Sequence, residues 1–280
     1  MKFNKVVIVG TGLIGGSIAL ALKKKKLAKE ICGISRHKES LILAKKQGII
    51  DSGSQDINIV QGADLVVLAV PVNTILRLSP SIAAIINTDC LVFDVGSTKK
   101  EIVGKLDKIF ANYIGAHPLA GSEKRGVANA KDDIFKDSVC ILTPTKNTKN
   151  ESLKTMKEMW SKFGAKVVFM PPSVHDKVLS LVSHLPHIAA FALMHTVPDS
   201  YLKWTSTGFK STTRIAASDS LLWRDIFLSN PDKIIEAIDL LQKKLSIIKS
   251  AISRKDGQAL EKLLRSAKRK RDKISFVSKL

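Results

Sequence analysis

The spacing of three glycines near the start of the chain constrains the fold more than any other feature. Residues 6–9 form an apolar, β-branched run, and Gly10, Gly12 and Gly15 follow before apolar residues resume at helical spacing. Gly10 permits a tight turn after a strand, Gly12 lets the backbone approach a pyrophosphate, and Gly15 lets a helix pack closely on the sheet. The free amides at the start of that helix face the phosphates. We therefore predict a strand, turn and helix that bind a dinucleotide.

Similar apolar runs recur along the first part of the chain, with helical segments between them. The predicted strands are residues 5–9, 31–34, 65–70, 91–95, 113–116, 139–142 and 166–169. Such alternation is typical of an α/β domain with a mostly parallel sheet. Strand signals stop after Pro171 and Pro172, and long apolar helices take over. We expect a dinucleotide-binding domain over residues 1–171 and an all-helical domain over residues 172–280.

The predicted helical domain carries more apolar surface than a small bundle needs. Asn230 and Pro231 favour a helix start, and apolar residues recur every three or four positions from Ile234 to Ile252. This surface suits subunit contact, so we expect a homodimer formed through the helical domain. Packing within one chain explains the pattern equally well and stays open as an alternative.

The charge of the chain bears on its partners. Lys and Arg number 45 against 25 Asp and Glu, a formal net charge of +20 that attracts polyanions, anionic membranes or small acidic substrates. The basic runs at residues 23–26 and 265–273 lack the interleaved aromatic residues of typical nucleic-acid-binding surfaces. We therefore expect a small anionic substrate, and neither nucleic acid nor membrane as a partner.

Apolar runs and cysteines indicate the compartment. The run at residues 65–72 is too short to span a bilayer, and from such runs we expect a cytoplasmic protein. Cys32, Cys90 and Cys140 are isolated in the sequence, without the spacing of metal ligands. We expect buried, reduced thiols and no metal site.

Open α/β sheets bind ligands beyond the carboxyl ends of their strands, and the second strand end bears on the cofactor. Ser35, Arg36 and Lys38 lie where an NAD enzyme normally places a carboxylate for the ribose hydroxyls, and no carboxylate occurs until Glu39. The cations suit a ribose 2′-phosphate. We expect NADP or NAD, with NADP slightly favoured, unless Ser35 bonds the ribose and Arg36 is merely exposed. The predicted cofactor-binding residues are Gly10, Gly12, Leu13, Ile14, Gly15, Ser35, Arg36, Val70 and Pro71.

Two later strand ends carry candidate catalytic side chains. Ser97 lies in a turn after the fourth predicted strand, and His117 follows the fifth, next to Pro118. A histidine there can titrate near neutral pH and act as a base. The structural alternatives are a helix cap for Ser97 and a turn residue for His117.

The helix expected to begin near Ser173 carries a polar stripe on one face. Its members are Asp176, Ser180, Ser183 and His187, with Pro186 expected to kink the helix. The stripe predicts a cavity wall, or alternatively a buried set of mutual hydrogen bonds.

Further along, Arg214 ends a segment rich in hydroxyl side chains. Its guanidinium could bind a carboxylate through two parallel hydrogen bonds. Trp223 follows on a helix, either as core or as a second wall of the cavity.

Four segments together point to a known family. They are residues 13–17, 117–123, 183–187 and 208–214, the last followed by Trp223, Arg224 and Asp225. In this order they resemble the prephenate dehydrogenase family, which includes arogenate and cyclohexadienyl dehydrogenases of tyrosine biosynthesis. The resemblance implies a Rossmann-like NAD(P)-binding domain, a helical dimerisation domain, and oxidative decarboxylation of prephenate with hydride transfer to the nicotinamide.

The resemblance also implies roles for individual residues. His117 matches the histidine that binds the substrate hydroxyl and accepts its proton, and Ser97 matches the serine that orients both groups. The implied substrate-binding residues are His187, Arg214, Glu123, Asp176 and Trp223. Trp223 resembles an aromatic side chain supplied by the partner subunit, while Glu123 and Asp176 match supporting acidic positions. Ser35 and Arg36 depart from the acidic residue found there in many NAD-using members.

Three other functions stay open. An arogenate dehydrogenase would act on an amino rather than a keto side chain, and no residue above distinguishes the two. A β-hydroxyacid dehydrogenase typically relies on a catalytic lysine in the helical domain. A polyanion-binding protein would use the basic surface on a catalytically silent scaffold, with strongly salt-dependent binding.

Overall fold

The computed structural model describes residues 2–121 and 126–277 of the chain. They fall into two compact units, Met1–Pro231 and Asp232–Leu280. The first unit contains the sheet and the described residues of the predicted site. The second contains two long helices.

The first unit is built on one eight-stranded sheet. Its strands are β1 (Phe3–Val9), β2 (Ala28–Ile34), β3 (Ser52–Ser54), β4 (Leu65–Leu68), β5 (Leu91–Asp94), β6 (Tyr113–Pro118), β7 (Val139–Thr143) and β8 (Lys166–Phe169). The spatial order is β3-β2-β1-β4-β5-β6-β7-β8, and only the β6–β7 pair is antiparallel among these neighbours. From β1 the chain adds β2 and β3 on one side of the sheet, and from β4 it adds the later strands on the other side. Sheets of this kind bind ligands at such a reversal, which lies here between β1 and β4. The seven predicted strands are confirmed, and β3, a short run without apolar residues, was not predicted.

Helices connect the strands and continue beyond them. They are α1 (Leu13–Lys24), α2 (Lys38–Lys46), α3 (Val72–Ala83), α4 (Lys100–Ile109), α5 (Asn150–Lys162), α6 (Pro172–Leu179), α7 (Leu185–Thr196), α8 (Thr207–Thr213), α9 (Ser220–Ser229), α10 (Pro231–Ser253) and α11 (Gly257–Val277). A single π-helical turn, Ser180–His184, joins α6 to α7. The predicted α/β class and the helical second part are therefore confirmed.

The sheet is buried on both faces because its strands carry apolar side chains at successive positions. In β1, Val6 and Ile8 belong to one apolar cluster, whereas Val7 and Val9 belong to the other. Successive side chains of a strand point to opposite faces, so a continuous apolar run fills both layers. This packing leaves the carboxyl ends of the strands as the place for polar chemistry.

Residues 172–231 fall in the same compact unit as the sheet, whereas the sequence suggests a division after residue 171. The physical link is a set of hydrogen bonds near the strand ends. The Asp176 carboxylate accepts from the amides of Lys99 and Lys100, at 2.8 Å each, and Asn230 donates to the Asp176 carbonyl at 3.0 Å. A separate helical domain from residue 172 stays a prediction.

The helix formed by α6, the π turn and α7 bears on the expectation that the apolar runs of the chain are too short to span a bilayer. Residues Pro172–Thr196 are long and apolar enough to cross a membrane by length and composition, although the sequence suggested only short apolar runs. The segment reaches this length because helical structure continues from α6 through the π turn into α7. This helix also carries the buried ionisable residues His175, Asp176 and His184. The absence of a membrane partner stays a prediction.

The second unit is a pair of helices, α10 and α11, joined by a short turn. The predicted helix start at Pro231 is confirmed. Leu245, Ile252 and Leu264 are exposed in the single chain. Exposed apolar side chains in such number are typical of helices that meet another protein surface.

Candidate active site

The glycine turn between β1 and α1 has the shape required to hold a pyrophosphate. Gly10 has a positive φ of 101°, and a Cβ atom there would lie 2.4 Å from the Ala69 carbonyl oxygen. A Cβ atom at Gly15 would lie 2.0 Å from the Gly10 carbonyl oxygen, so both positions exclude a side chain. A Cβ atom at Gly12 would instead enter open space at the first turn of α1, where backbone amides lack helical partners. The residues present therefore fit a dinucleotide.

A cavity of about 330 Å³, here called the glycine-turn cavity, lies beside this turn. Its wall includes Gly12, Leu13, Ile14, Val70 and Pro71 from the predicted cofactor-binding set. Gly10 and Gly15 shape the turn itself instead of lining the cavity. The predicted cofactor residues from β1, α1 and the end of β4 are thus brought together.

Ser35 and Arg36 lie at the carboxyl end of β2, next to the glycine turn. The Gly10 amide donates to the Ile34 carbonyl at 2.8 Å, which joins the two strand ends. Arg36 is exposed, and its Nε lies 2.9 Å from His37 Nε2. The Gln55 amide also donates to the Arg36 carbonyl at 2.7 Å. An exposed cation therefore follows the strand that neighbours the glycine turn.

The end of β5 is organised around a buried ion pair. Lys99 and Asp94 are both fully buried, and Lys99 Nζ donates to Asp94 Oδ2 at 2.5 Å. The second carboxylate oxygen of Asp94 accepts from the Tyr113 hydroxyl at 2.6 Å. Lys99 Nζ also donates to the Gly96 carbonyl at 2.6 Å, which fixes the turn that carries Ser97. Burial, followed by the charge of Asp94, raises the pKa of Tyr113 well above its usual value.

A second cavity, of about 560 Å³ and here called the histidine cavity, adjoins the first. Ser97 and His117 line both cavities. The structure therefore places the two predicted catalytic side chains where a dinucleotide and a second ligand would meet.

The His117 imidazole is held by a chain of hydrogen bonds. His117 Nδ1 lies 2.8 Å from His175 Nε2, and His175 Nδ1 lies 2.7 Å from Asp176 Oδ1. The Asp176 carboxylate also accepts from the amides of Lys99 and Lys100 at the start of α4. Anchoring at both ends fixes the orientation of His175 and, through it, of His117.

Donor and acceptor rules assign the protons in this chain. Burial raises the pKa of Asp176, but hydrogen bonds from His175 and the two amides outweigh it and lower the pKa overall. An ionised Asp176 only accepts, so His175 Nδ1 carries a proton and His175 Nε2 is an acceptor. His117 Nδ1 must then carry the donated proton. The unprotonated nitrogen of His117 is Nε2, which makes this the atom available to act as a base.

The charge state of His117 differs from the sequence expectation. Burial, together with the charges of His175, Lys99 and His184, lowers its pKa well below the usual value, whereas the sequence suggested titration near neutral pH. The cause is tertiary, because these neighbours come from the turn before α4, from α6 and from the π turn. His117 is therefore neutral at physiological pH.

Asp176 has a different place from the one expected. It is 1% exposed, is absent from the walls of both cavities, and is linked to His117 only through His175. This corrects the expectation that Asp176 contacts substrate. Its three hydrogen bonds instead join α6 to α4 and to His175.

The predicted polar stripe is only partly a cavity wall. Ser183 and His187 line the histidine cavity, but the buried Ser180 donates to the Lys177 carbonyl at 2.8 Å. A π-helical turn precedes Pro186 and is closed by the Leu185 amide, which donates to the Ser180 carbonyl. A proline lacks the N–H that an α-helical turn needs, and the wider turn accommodates this loss.

Three predicted substrate-binding residues meet in the histidine cavity. His187 donates from Nδ1 to the Ser183 carbonyl at 3.0 Å and stacks on Trp223, with 3.5 Å between ring centroids. Burial lowers the pKa of His187, and the charge of Arg214 adds to this. Arg214 is exposed and lines the same cavity. Trp223 therefore lines the pocket of its own chain, and its supply by the partner subunit stays a prediction.

The remaining expectations concern other parts of the chain. Glu123 lies outside the described residues. Cys32, Cys90 and Cys140 are buried and free, as expected. Over residues 2–121 and 126–277, no group of three or more His, Cys, Asp or Glu side chains is placed to hold a metal ion.

Sequence reasoning missed His175, His184 and the Asp94–Lys99 pair as parts of the site. His175 and His117 are 58 positions apart, and nothing local pairs them. The only available signal was the position of Asp94 and Lys99 on either side of the Ser97 turn. That turn was recognised, but a lysine in a loop is normally exposed.

Comparison with known proteins decides the family. Residues 18–169 match the family model for the prephenate dehydrogenase nucleotide-binding domain, and residues 171–266 match the model for the prephenate dehydrogenase dimerisation domain. The chain belongs to the prephenate dehydrogenase family. Prephenate dehydrogenase from Bacillus subtilis is 36% identical over 99% of this chain and 77% of its own length. The enzyme from Lactococcus lactis is 38% identical over 98% of this chain and 78% of its own length.

A solved structure of a prephenate dehydrogenase also matches. The enzyme from Aquifex aeolicus, in complex with hydroxyphenyl propionate and NAD+, superposes with a TM-score of 0.93 at 38% identity. The match covers 98% of this chain and 99% of that one. That relative was solved with NAD+, and residues 18–169 of this chain match a nucleotide-binding domain.

Proposed function

We propose that this chain is a prephenate dehydrogenase of tyrosine biosynthesis, which converts prephenate to 4-hydroxyphenylpyruvate with loss of carbon dioxide and hydride transfer to NAD(P). The observation that carries the proposal is the place of His117. Its imidazole borders both the glycine-turn cavity and the histidine cavity, and its hydrogen bond to His175 leaves Nε2 unprotonated. A bound nicotinamide would supply the hydride acceptor.

His117 acts as the base of the proposed reaction. Its Nε2 accepts the proton of the substrate's ring hydroxyl while the hydrogen on the same carbon leaves as hydride. The ring carboxylate then departs as carbon dioxide, and its bonding electrons complete the aromatic ring as the ring oxygen takes up a proton. Donation from His117 Nδ1 to His175 stabilises the imidazolium that forms. Ser97 shares the boundary between the cavities, where it would orient the substrate hydroxyl.

Arg214 and His187 bind the substrate in this proposal. Arg214 is an exposed cation on the cavity wall, suited to one of the two carboxylates of prephenate. The His187 Nδ1 proton is engaged by the Ser183 carbonyl, so Nε2 faces substrate as the free nitrogen. Stacking on Trp223 holds this ring in place.

For the cofactor we propose that NADP is used at least as well as NAD. The support is the cationic side chain of Arg36 at the end of β2, with Lys38 exposed nearby and no carboxylate between them. A ribose 2′-phosphate would meet positive charge there. The Aquifex aeolicus relative was solved with NAD+, so the two cofactors need direct comparison.

The proposal includes a homodimer in the cytoplasm. Its support is the match of residues 171–266 to a dimerisation domain and the apolar side chains exposed along α6, the π turn and α10 in the single chain. We propose neither nucleic acid nor membrane as a partner. Arogenate stays the alternative substrate. A β-hydroxyacid dehydrogenase function is less well supported because the base found here is a histidine of the sheet domain.

His117→Asn tests the proposal. Loss of a positioned base lowers turnover by about 10²–10⁴-fold, while cofactor affinity changes little because the glycine turn is untouched. The measurements are formation of reduced nicotinamide from prephenate and cofactor titration by fluorescence. His195→Asn, an exposed histidine on α7, is the matched control. Near wild-type turnover of His117→Asn would refute the role, and a wild-type protein inactive on prephenate would refute the function.

A further inference from the structure

One carboxylate lies on the wall of the glycine-turn cavity, and the proposed reaction gives it no task. Asp225 on α9 lines this cavity but not the histidine cavity, and the residue is 8% exposed. Among the described residues of this wall, Asp225 and His117 are the only ionisable ones, and His117 is neutral. The described wall of the glycine-turn cavity therefore carries a single charge, which is negative.

The helix that carries Asp225 lies at the boundary between the two cavities. Leu222 and Ile226 of α9 line both cavities, as His117 does. Asp225 is next to Ile226 in the sequence, and residues three apart on a helix, such as Leu222 and Asp225, are neighbours on its surface. In the proposed reaction the nicotinamide must reach His117, whereas the pyrophosphate lies at the glycine turn. Asp225 therefore belongs to the nicotinamide end of the cavity.

Arg224 forms an ion pair with Asp225, but the two charges differ in their exposure to water. Asp225 Oδ1 accepts from Arg224 Nε at 3.0 Å and from Nη2 at 2.8 Å, while Oδ2 accepts no hydrogen bond in the part of the chain that the structure describes. The Arg224 side chain is 58% exposed and lines neither cavity, whereas that of Asp225 is 10% exposed. Water and salt screen an exposed charge more than a buried one. The carboxylate therefore dominates the potential inside the cavity.

We propose that Asp225 makes this protein bind the oxidised nicotinamide cofactor in preference to the reduced one. The oxidised ring is a pyridinium cation, and uptake of hydride converts it to an uncharged dihydropyridine. A carboxylate in a wall of low dielectric constant attracts the first ring and not the second. This preference favours entry of the oxidised cofactor and release of the reduced one. The inference rests on the proposed function, because it assumes that a nicotinamide lies next to His117.

Binding of the two cofactor forms, measured without prephenate, tests the proposal. Dissociation constants of NAD+ and NADH, and of NADP+ and NADPH, are measured by calorimetric titration for the wild type and Asp225→Asn. Asparagine has a similar size and keeps an oxygen that can accept from Arg224. We expect the ratio of the Kd of the reduced form to that of the oxidised form to fall about tenfold in Asp225→Asn, as for the loss of one partly buried charge. The ratio cancels any effect on the phosphates, which both forms share.

The controls separate the charge of Asp225 from its place in the fold. Asp225→Glu keeps the charge and should keep the wild-type ratio, whereas Asp225→Ser, a second uncharged variant, should lower it as Asp225→Asn does. Asp89→Asn removes an exposed carboxylate just before β5, at the opposite end of that strand from Ser97, and should leave the ratio unchanged. An unchanged ratio in folded Asp225→Asn, or equal weakening of both forms, would overturn the proposal. Wild-type turnover of prephenate, measured separately, reports on the proposed function.

Discussion

Replacement of His175 by phenylalanine tests the hydrogen-bond chain behind the proposed base. His175 is fully buried and does not line either cavity, so the change leaves the walls that face the ligands intact. Phenylalanine fills a similar volume but offers no acceptor to His117 Nδ1 at 2.8 Å and no donor to Asp176 at 2.7 Å. Within the cavities, the perturbation therefore acts on the orientation and proton position of His117, while Asp176 loses one of its hydrogen bonds.

The size of the effect follows from the partners lost. A buried N–H left without an acceptor costs about 1–3 kcal/mol, which corresponds to a loss of about 5- to 150-fold if it falls on the transition state. The imidazole is also free to place its proton on Nε2, the tautomer that cannot accept from substrate. We expect turnover at saturating substrate to fall within this range, with cofactor affinity unchanged.

The assay separates orientation from simple damage to the fold. His175→Gln carries an amide oxygen near the position of Nε2, so it can accept from His117 and should recover most of the lost turnover. Steady-state rates with prephenate, cofactor titrations and thermal unfolding are compared for both variants. If His175→Phe is folded and keeps turnover within twofold of the wild type, the chain does not orient His117. If His175→Gln recovers nothing, the acceptor is not the relevant feature.

Three further predictions follow from the same site. Arg214→Ala should raise the KM for prephenate about 10- to 100-fold with a smaller change in kcat, because a charge-assisted hydrogen bond of about 1.5–3 kcal/mol is lost. An unchanged KM would show that the guanidinium does not bind the substrate. Ser35→Asp should shift the ratio of the specificity constants for NAD and NADP towards NAD, since a carboxylate accepts from both ribose hydroxyls and repels a 2′-phosphate. A wild-type protein that already strongly prefers NAD would contradict the role proposed for Arg36. Burial, His175, Lys99 and His184 lower the pKa of His117, and protonation of His117 removes the base. We therefore expect kcat/KM to fall only as the pH drops well below 6.5. A loss of kcat/KM that begins at or above neutral pH would show that the pKa of His117 is not lowered.

Local patterns in the sequence were sufficient for the fold and for the glycine turn between β1 and α1. Gly10 and Gly15 stand where a side chain would collide with neighbouring backbone, and that requirement shows in the glycine spacing itself. The apolar run of β1 fills both faces of the sheet and is visible as an uninterrupted stretch. Strand ends follow from these runs, so Ser97 and His117 could be selected as candidates before any contact was known.

The tertiary structure decided which side chains act on one another. The bond from His117 to His175, the neutral state of both rings and the buried Asp94–Lys99 pair depend on segments far apart in the chain. Even on one helix, a π turn separates His175, which contacts His117, from His184 on the wall of the histidine cavity. Periodicity reports the face on which a residue lies while the helix stays regular. Hydrogen-bond partners and pKa values depend instead on what packs against that face, which only the folded chain determines.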